Sequence, residues 1–147
     1  GVGPNDDMAP DGVAVWWNAG PYDKADTAMY DDRMVFSSDG TMEYQTQGST
    51  FGKAPPLESD FSGNQGLGDP NSDGEHAYYP TDNFNSNWTI SEDNGYLILN
   101  FTGNGFAGFY VGGNHSYTIL SRNSTEIYLK TIGFDTNGWF IKITNQE

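Results

Sequence analysis

The chain contains no cysteine. That single absence excludes disulfides, thiol nucleophiles and zinc–thiolate sites together. Positive charge is also scarce: six Lys+Arg stand against 20 Asp+Glu, a net charge of −14. Nucleic acid is a polyanion held mainly by Lys and Arg, so it is an unsuitable partner. Anionic lipid and acidic polysaccharide are disfavoured by the same repulsion. No apolar run approaches the roughly 18 residues that cross a bilayer, so no membrane insertion is expected of this segment. What remains is the class of uncharged partners.

Hydrophobic residues are few as well, at 35%, a value that would suit disorder if the chain did not hold 22 aromatics, 15% of its residues. Disordered segments are aromatic-poor, so this chain is expected to fold. Its 147 residues suffice for one domain with one core. The 19 Gly, 14 Asn and 14 Asp are turn formers and poor helix formers, which argues against long helices. No signal peptide is visible; the chain opens at Gly1-Val2-Gly3-Pro4 and reads as a module of a larger protein.

Residues 1–87 carry 15 acids and three bases, whereas residues 88–147 carry five acids and three bases. The acids thus crowd the turn-rich front half, and the back half reads as regular structure. Short strands are expected at Trp88–Ile90, Tyr96–Phe101, Ala107–Val111, Ser116–Ser121, Glu126–Thr131 and Trp139–Thr144. Gly103-Asn104-Gly105 reads as a hairpin turn leading into Ala107–Val111. Alternation supports these strands. Ile127, Leu129 and Thr131 share one face, opposite Glu126, Tyr128 and Lys130. In the front half, strands are expected at Val13–Trp17, Arg33–Ser37 and Thr41–Gln47. Residues 48–87 lack periodicity and read as a long loop. The expected fold is an all-β antiparallel sandwich, jelly-roll-like, in a single domain.

Three constellations invite chemistry. Asp69-Pro70-Asn71-Ser72-Asp73-Gly74 has the D-x-N-x-D-G spacing of a calcium loop, with Asp69, Asn71 and Asp73 as the ligands. Its twelfth position is Pro80 rather than Glu, so an EF-hand is excluded, and an acidic turn cluster is the alternative. The second constellation is the aromatic inventory, since sugar C–H faces stack on flat rings. Alternation with Val13 and Val15 turns Trp17 inward and Trp16 outward. Core packing is the commoner role for Trp17, Trp88 and Trp139. It is less expected for Trp16, Tyr78, Tyr79, Tyr128 and Phe140, which neighbour polar positions or lie in loops. The third constellation, catalysis, finds little support. Glycoside hydrolysis needs two carboxylates about 5–10 Å apart, and Glu43 and Glu126, the acids on clear strands, have no evident mate. His76 and His115 lie in loop-like segments without a nucleophile motif.

Three runs share a resemblance: Gly1-Val2-Gly3-Pro4, Trp16-Trp17-Asn18-Ala19-Gly20-Pro21-Tyr22-Asp23-Lys24, and Tyr30-Asp31-Asp32-Arg33-Met34-Val35-Phe36. With Gly105-Phe106 to Tyr110, Tyr117 to Ser121 and Gly138-Trp139-Phe140, the chain resembles a β-sandwich module of bacterial polysaccharide-utilisation surface proteins. Similar modules are appended to laminarinase-type glycosidases. The likeness spans nearly the whole chain except residues 48–87. It implies a non-catalytic carbohydrate-binding module for a neutral β-glucan such as laminarin, a β-1,3-glucan. It also implies a place beside other domains of an outer-membrane-anchored or secreted protein. The expected binding residues, chosen from side-chain chemistry, are Trp16, Trp17, Tyr22, Lys24, Tyr78 and Tyr79. Three other readings compete: a small glycan-cleaving lyase or hydrolase, a lipocalin-like barrel for an apolar small molecule, and a structural spacer whose aromatics simply pack a core.

Overall fold

The computed structural model describes residues 1–5, 14–62 and 67–145. Its strands are β1 (Val2–Gly3), β2 (Arg33–Phe36), β3 (Thr41–Gln45) and β4 (Ser49–Lys53), followed by helix α1 (Ala54–Asp60). Then come β5 (Glu75–Pro80), β6 (Phe84–Asp93), β7 (Tyr96–Phe101), β8 (Ser116–Arg122), β9 (Glu126–Ile132) and β10 (Gly138–Thr144). Eight strands form an antiparallel sheet in the order β1-β10-β9-β8-β7-β6-β3-β2, and β4 and β5 form a second, two-stranded antiparallel sheet packed on it. The all-β antiparallel sandwich expected from the sequence is the observed architecture.

Period-two patterning sets the inner face. Met42, Tyr44, Leu99, Phe101, Tyr117, Leu129 and Ile141 are buried and join Leu57 and Tyr79 in one core cluster. Strand β6 changes partners midway. Its residues Phe84–Asn87 pair with β3, and Trp88–Asp93 pair with β7. The handover is closed by Trp88 N–H donating to the Gly40 carbonyl at 2.8 Å and Thr102 N–H donating to that of Asn87 at 3.0 Å.

Three expectations need correction. Residues 48–87 are not one long loop, because β4, α1 and β5 lie within them. Two prolines in a seven-residue helix hide it from any periodicity test, yet proline is tolerated in a first helical turn, where its missing N–H has no partner to lose. Ala107–Val111 is not a returning strand. β7 pairs directly with β8, and residues 102–115 leave the sheet between them. The excursion is apolar for a different reason, since Phe106, Ala107, Tyr110 and Val111 are fully buried between the layers. It ties the two sheets together. Tyr110 N–H donates to the Phe51 carbonyl at 3.1 Å, and Lys53 N–H donates to that of Tyr110 at 2.9 Å. Finally, no strand occupies 14–17; this stretch makes one bridge, Val2 to Trp17, and Val13 lies outside the described residues.

The two sheets approach closely at Gly52. A methyl group there would lie 2.6 Å from both the Cβ and the carbonyl oxygen of Tyr110. Gly52→Ala is therefore expected to cost roughly 1–3 kcal/mol by overpacking. Urea denaturation would show it as a lower midpoint with an unchanged slope. An unchanged midpoint would mean that the layers can separate freely here.

Candidate functional site

A second, smaller core cluster of Ala28, Phe51, Phe109, Val111 and Trp139 forms the floor of the candidate site. Residues 14–31 supply Ala28 to it, with Met29 packed alongside. They are fixed at one end by the Val2–Trp17 bridge and at the other by Ala28 N–H donating to the Ala77 carbonyl at 3.0 Å. On this floor sits a charged cluster. The Glu75 carboxylate, at the start of β5, accepts from Lys24 Nζ at 3.0 Å and from Lys53 Nζ at 3.1 Å. Lys24 Nζ lies 5.3 Å from the ring centroids of both Trp17 and Phe51, and Lys53 Nζ lies 5.2 Å from that of Trp139. Burial alone would push the Glu75 carboxyl upward, but the two ammonium groups outweigh it and hold the group below its ordinary range.

The structure separates the expected binding residues. Trp16 is 60% exposed, Trp17 45%, Tyr22 78% and Tyr78 54%, so these four rings are open to solvent. Trp17 is thus not the inward-facing residue that strand alternation suggested. Without a strand at 14–17, neighbouring side chains need not alternate. Tyr22 stands at a positive φ of 63° in the turn closed by Gly20 N–H on the Asp23 carboxylate at 2.7 Å, and its ring lies 6.1 Å from that of Tyr30. Lys24 is present beside Trp17, as described. Tyr79 is different. It is 0% exposed and its hydroxyl donates to the Phe61 carbonyl at 2.9 Å, so it has no ring face to offer a ligand. Alternation along β5 explains the contrast with its neighbour Tyr78. Phe140 and Trp139 are both buried, and Trp88 is half-buried with its indole N–H on the Ser37 and Thr41 carbonyls.

In the loop from Asp69 to Gly74, Asn71 Oδ1 accepts from the backbone N–H groups of Asp73 and Glu75, each at 2.9 Å. Both lone pairs of that oxygen are thereby used. The Asp73 carbonyl accepts from Lys53 Nζ at 2.8 Å. Among the described residues no group of three His, Cys, Asp or Glu side chains could hold a metal ion. The positive charge facing this loop is lysine ammonium.

His76 is not on a surface loop. It is buried in β5, with Nε2 2.7 Å from Glu58 Oε1 of α1. His115 instead lies 2.9 Å through Nδ1 from the Gly105 carbonyl. Glu126 Oε1 lies 3.5 Å from Lys142 Nζ. The sequence reading missed Glu75 and Lys53. The available signal was that Lys24 and Lys53 are the only lysines in an acidic stretch of 87 residues, where a buried counter-ion is to be expected.

Two shallow hollows open elsewhere. One of about 340 Å³ is lined by Thr41, Asn85, Ser86, Asn87 and Thr102. Another, of about 420 Å³, lies between Phe61, Ser62 and the Pro80–Phe84 segment. Neither is lined by the exposed tryptophans. Among the described strands the large sheet does not close into a barrel. β1 and β2 are the two ends of an open sheet, and Phe106, Tyr110 and Tyr117 fill the space inside.

Fold and site together define an all-β sandwich protein with an exposed aromatic stretch anchored on a Lys–Glu–Lys cluster. Compared with protein-family models and with curated proteins, the chain matches none.

Proposed function

We propose that this chain is a non-catalytic carbohydrate-binding module for a neutral β-glucan of the laminarin type, working within a larger cell-surface or secreted glycan-capture protein. The observation that carries the reading is the exposure of Trp16, Trp17 and Tyr22 within seven residues of an acidic chain. Large aromatic rings left in water form a platform suited to uncharged pyranose faces. Net negative charge turns away acidic polymers. Modest single-site affinity would be raised by neighbouring modules acting on one long polymer.

The test is migration in native gels cast with and without laminarin. Retardation of the wild type is expected, and Trp16→Ala or Tyr78→Ala should abolish it while leaving the far-ultraviolet spectrum intact. The expected loss is about thirtyfold or more, the size of an aromatic hot spot. Identical migration of the wild type across a panel of neutral glucans would overturn the reading. Release of new reducing ends or unsaturated sugars on long incubation would favour the glycan-cleaving alternative. The same gels run in calcium and in chelator test the Asp69–Gly74 loop. A calcium brace on Asp69, Asn71 and Asp73 makes retardation chelator-sensitive, whereas a loop held by Lys53 leaves it unchanged.

A further inference from the structure

Lys24 occupies an unusual position. Its ammonium is wedged between the exposed ring of Trp17 and the buried ring of Phe51, 5.3 Å from each centroid. Among the described residues its one hydrogen-bond acceptor is Glu75, at 3.0 Å. An ammonium has three donors, so two are left over beyond the bond to Glu75. Lys53 is its counterpart on the other Glu75 oxygen, but its surroundings differ. It donates to both Glu75 and the Asp73 carbonyl, and it faces the buried Trp139 rather than an exposed ring. One carboxylate therefore holds two lysines: one turned to the aromatic platform, the other to the core and a loop.

We infer that Glu75 is a positioning residue for glycan recognition, holding Lys24 against one face of Trp17 so that its spare N–H donors meet hydroxyl groups that a sugar stacked on the ring's other face extends past the indole. The inference rests on the glycan-binding reading and gives it a polar contact. Stacking alone tolerates many sugars, because any pyranose has an apolar face; a donor fixed next to the ring selects the hydroxyl pattern. Free in water, a lysine head would pay side-chain entropy to make that bond. Fixed by Glu75, it has already lost that freedom.

The asymmetry between the lysines supplies the experiment. Laminarin affinity is measured by gel retardation for the wild type, Lys24→Met, Lys53→Met, Glu75→Gln and Trp17→Ala. Methionine keeps an unbranched apolar stem in each lysine's place, and both lysine variants remove one arm of the same ion pair. Lys24→Met and Glu75→Gln are expected to bind about tenfold more weakly, the loss of one charge-assisted hydrogen bond. Lys53→Met should stay within about twofold of the wild type. Equal weakening by both lysine variants would reduce the cluster to a structural brace, and wild-type binding by Lys24→Met would overturn the inference alone. Failure of the wild type to bind would bring down the underlying reading with it. A second readout needs no sugar. The indole ring signals of Trp17, assigned by Trp17→Phe, should shift in Lys24→Met and Glu75→Gln but not in Lys53→Met; no shift in Glu75→Gln would mean that Glu75 positions nothing.

Discussion

Phe106→Ala is expected to destabilise the fold by roughly 3–5 kcal/mol, the usual loss for truncating a buried phenylalanine. Phe106 is fully buried, with its ring centroid 4.3 Å from that of Tyr44 and 4.8 Å from that of Tyr110. It therefore touches β3 of the large sheet and the excursion that reaches β4. Relaxation cannot fill the void, because Tyr44 is tethered through its hydroxyl and Tyr110 through its own, which donates to Asp60 at 2.5 Å. Urea unfolding read by tryptophan fluorescence would measure the loss. A change below about 1 kcal/mol would mean the ring is not the keystone its neighbours indicate.

Asp32→Asn is expected to flatten the acid side of the stability profile. Burial pushes the Asp32 carboxyl up to about 7, only partly opposed by Thr50 Oγ1 at 2.8 Å and the Tyr44 hydroxyl at 3.1 Å, with Asp31 adding repulsion and Arg33 attraction. Its Oδ1 is buried with no hydrogen-bond donor among the described residues. The Tyr44 hydroxyl is equally close to the Gly108 carbonyl, 3.1 Å away. With Asp32 protonated, Tyr44 can donate to Gly108 and accept from the acid. Once Asp32 ionises, Tyr44 must turn to it. The unfolded chain releases this proton near its ordinary value, whereas the folded one retains it up to about 7. Stability contributed by the neutral acid is thus complete below the unfolded value and declines as pH rises through the folded one. At about 1.4 kcal/mol for each pH unit, the decline reaches about 4 kcal/mol at most. Wild type and Asp32→Asn are compared by urea unfolding at pH 4.5 and pH 8. The wild type should lose more than the variant, and parallel losses would place the acid in water.

The back half of the chain was legible because its strands are short and pair with their sequence neighbours, although burial does not simply alternate: Lys130, opposite Leu129 and Thr131 on β9, is also buried. Ile127, Leu129 and Thr131 face the core as their spacing requires, and the β9–β10 register follows from one turn. The excursion was misread for a physical reason. Phe106 to Val111 is apolar enough for a strand, but its burial comes from being wedged between two sheets, and composition does not distinguish the two. Residues 48–87 failed in the opposite way, because α1 is too short to show a period and β5 places polar Glu75 and His76 inside. Those two are buried against partners, Lys24 and Lys53 for one and Glu58 for the other, which lie far away in sequence. At the site, the sequence offered candidates by side-chain chemistry alone. It could not say which rings face water, as Tyr78 and Tyr79 show.

The bridge from Gly52 to Tyr110 has a bearing on how the molecule opens. Strands β6 to β10 close on near neighbours at small loop cost, whereas β4 and β5 join them through a contact spanning 58 positions of chain. Cooperative units of lower stability are those with fewer ties to the rest. The small sheet, with helix α1 between its strands, is therefore expected to dock late and detach early, and the aromatic stretch held to Ala77 would depart with it. A glycan held there as proposed would then slow proteolysis of the small sheet too, and so lengthen the lifetime of the whole chain.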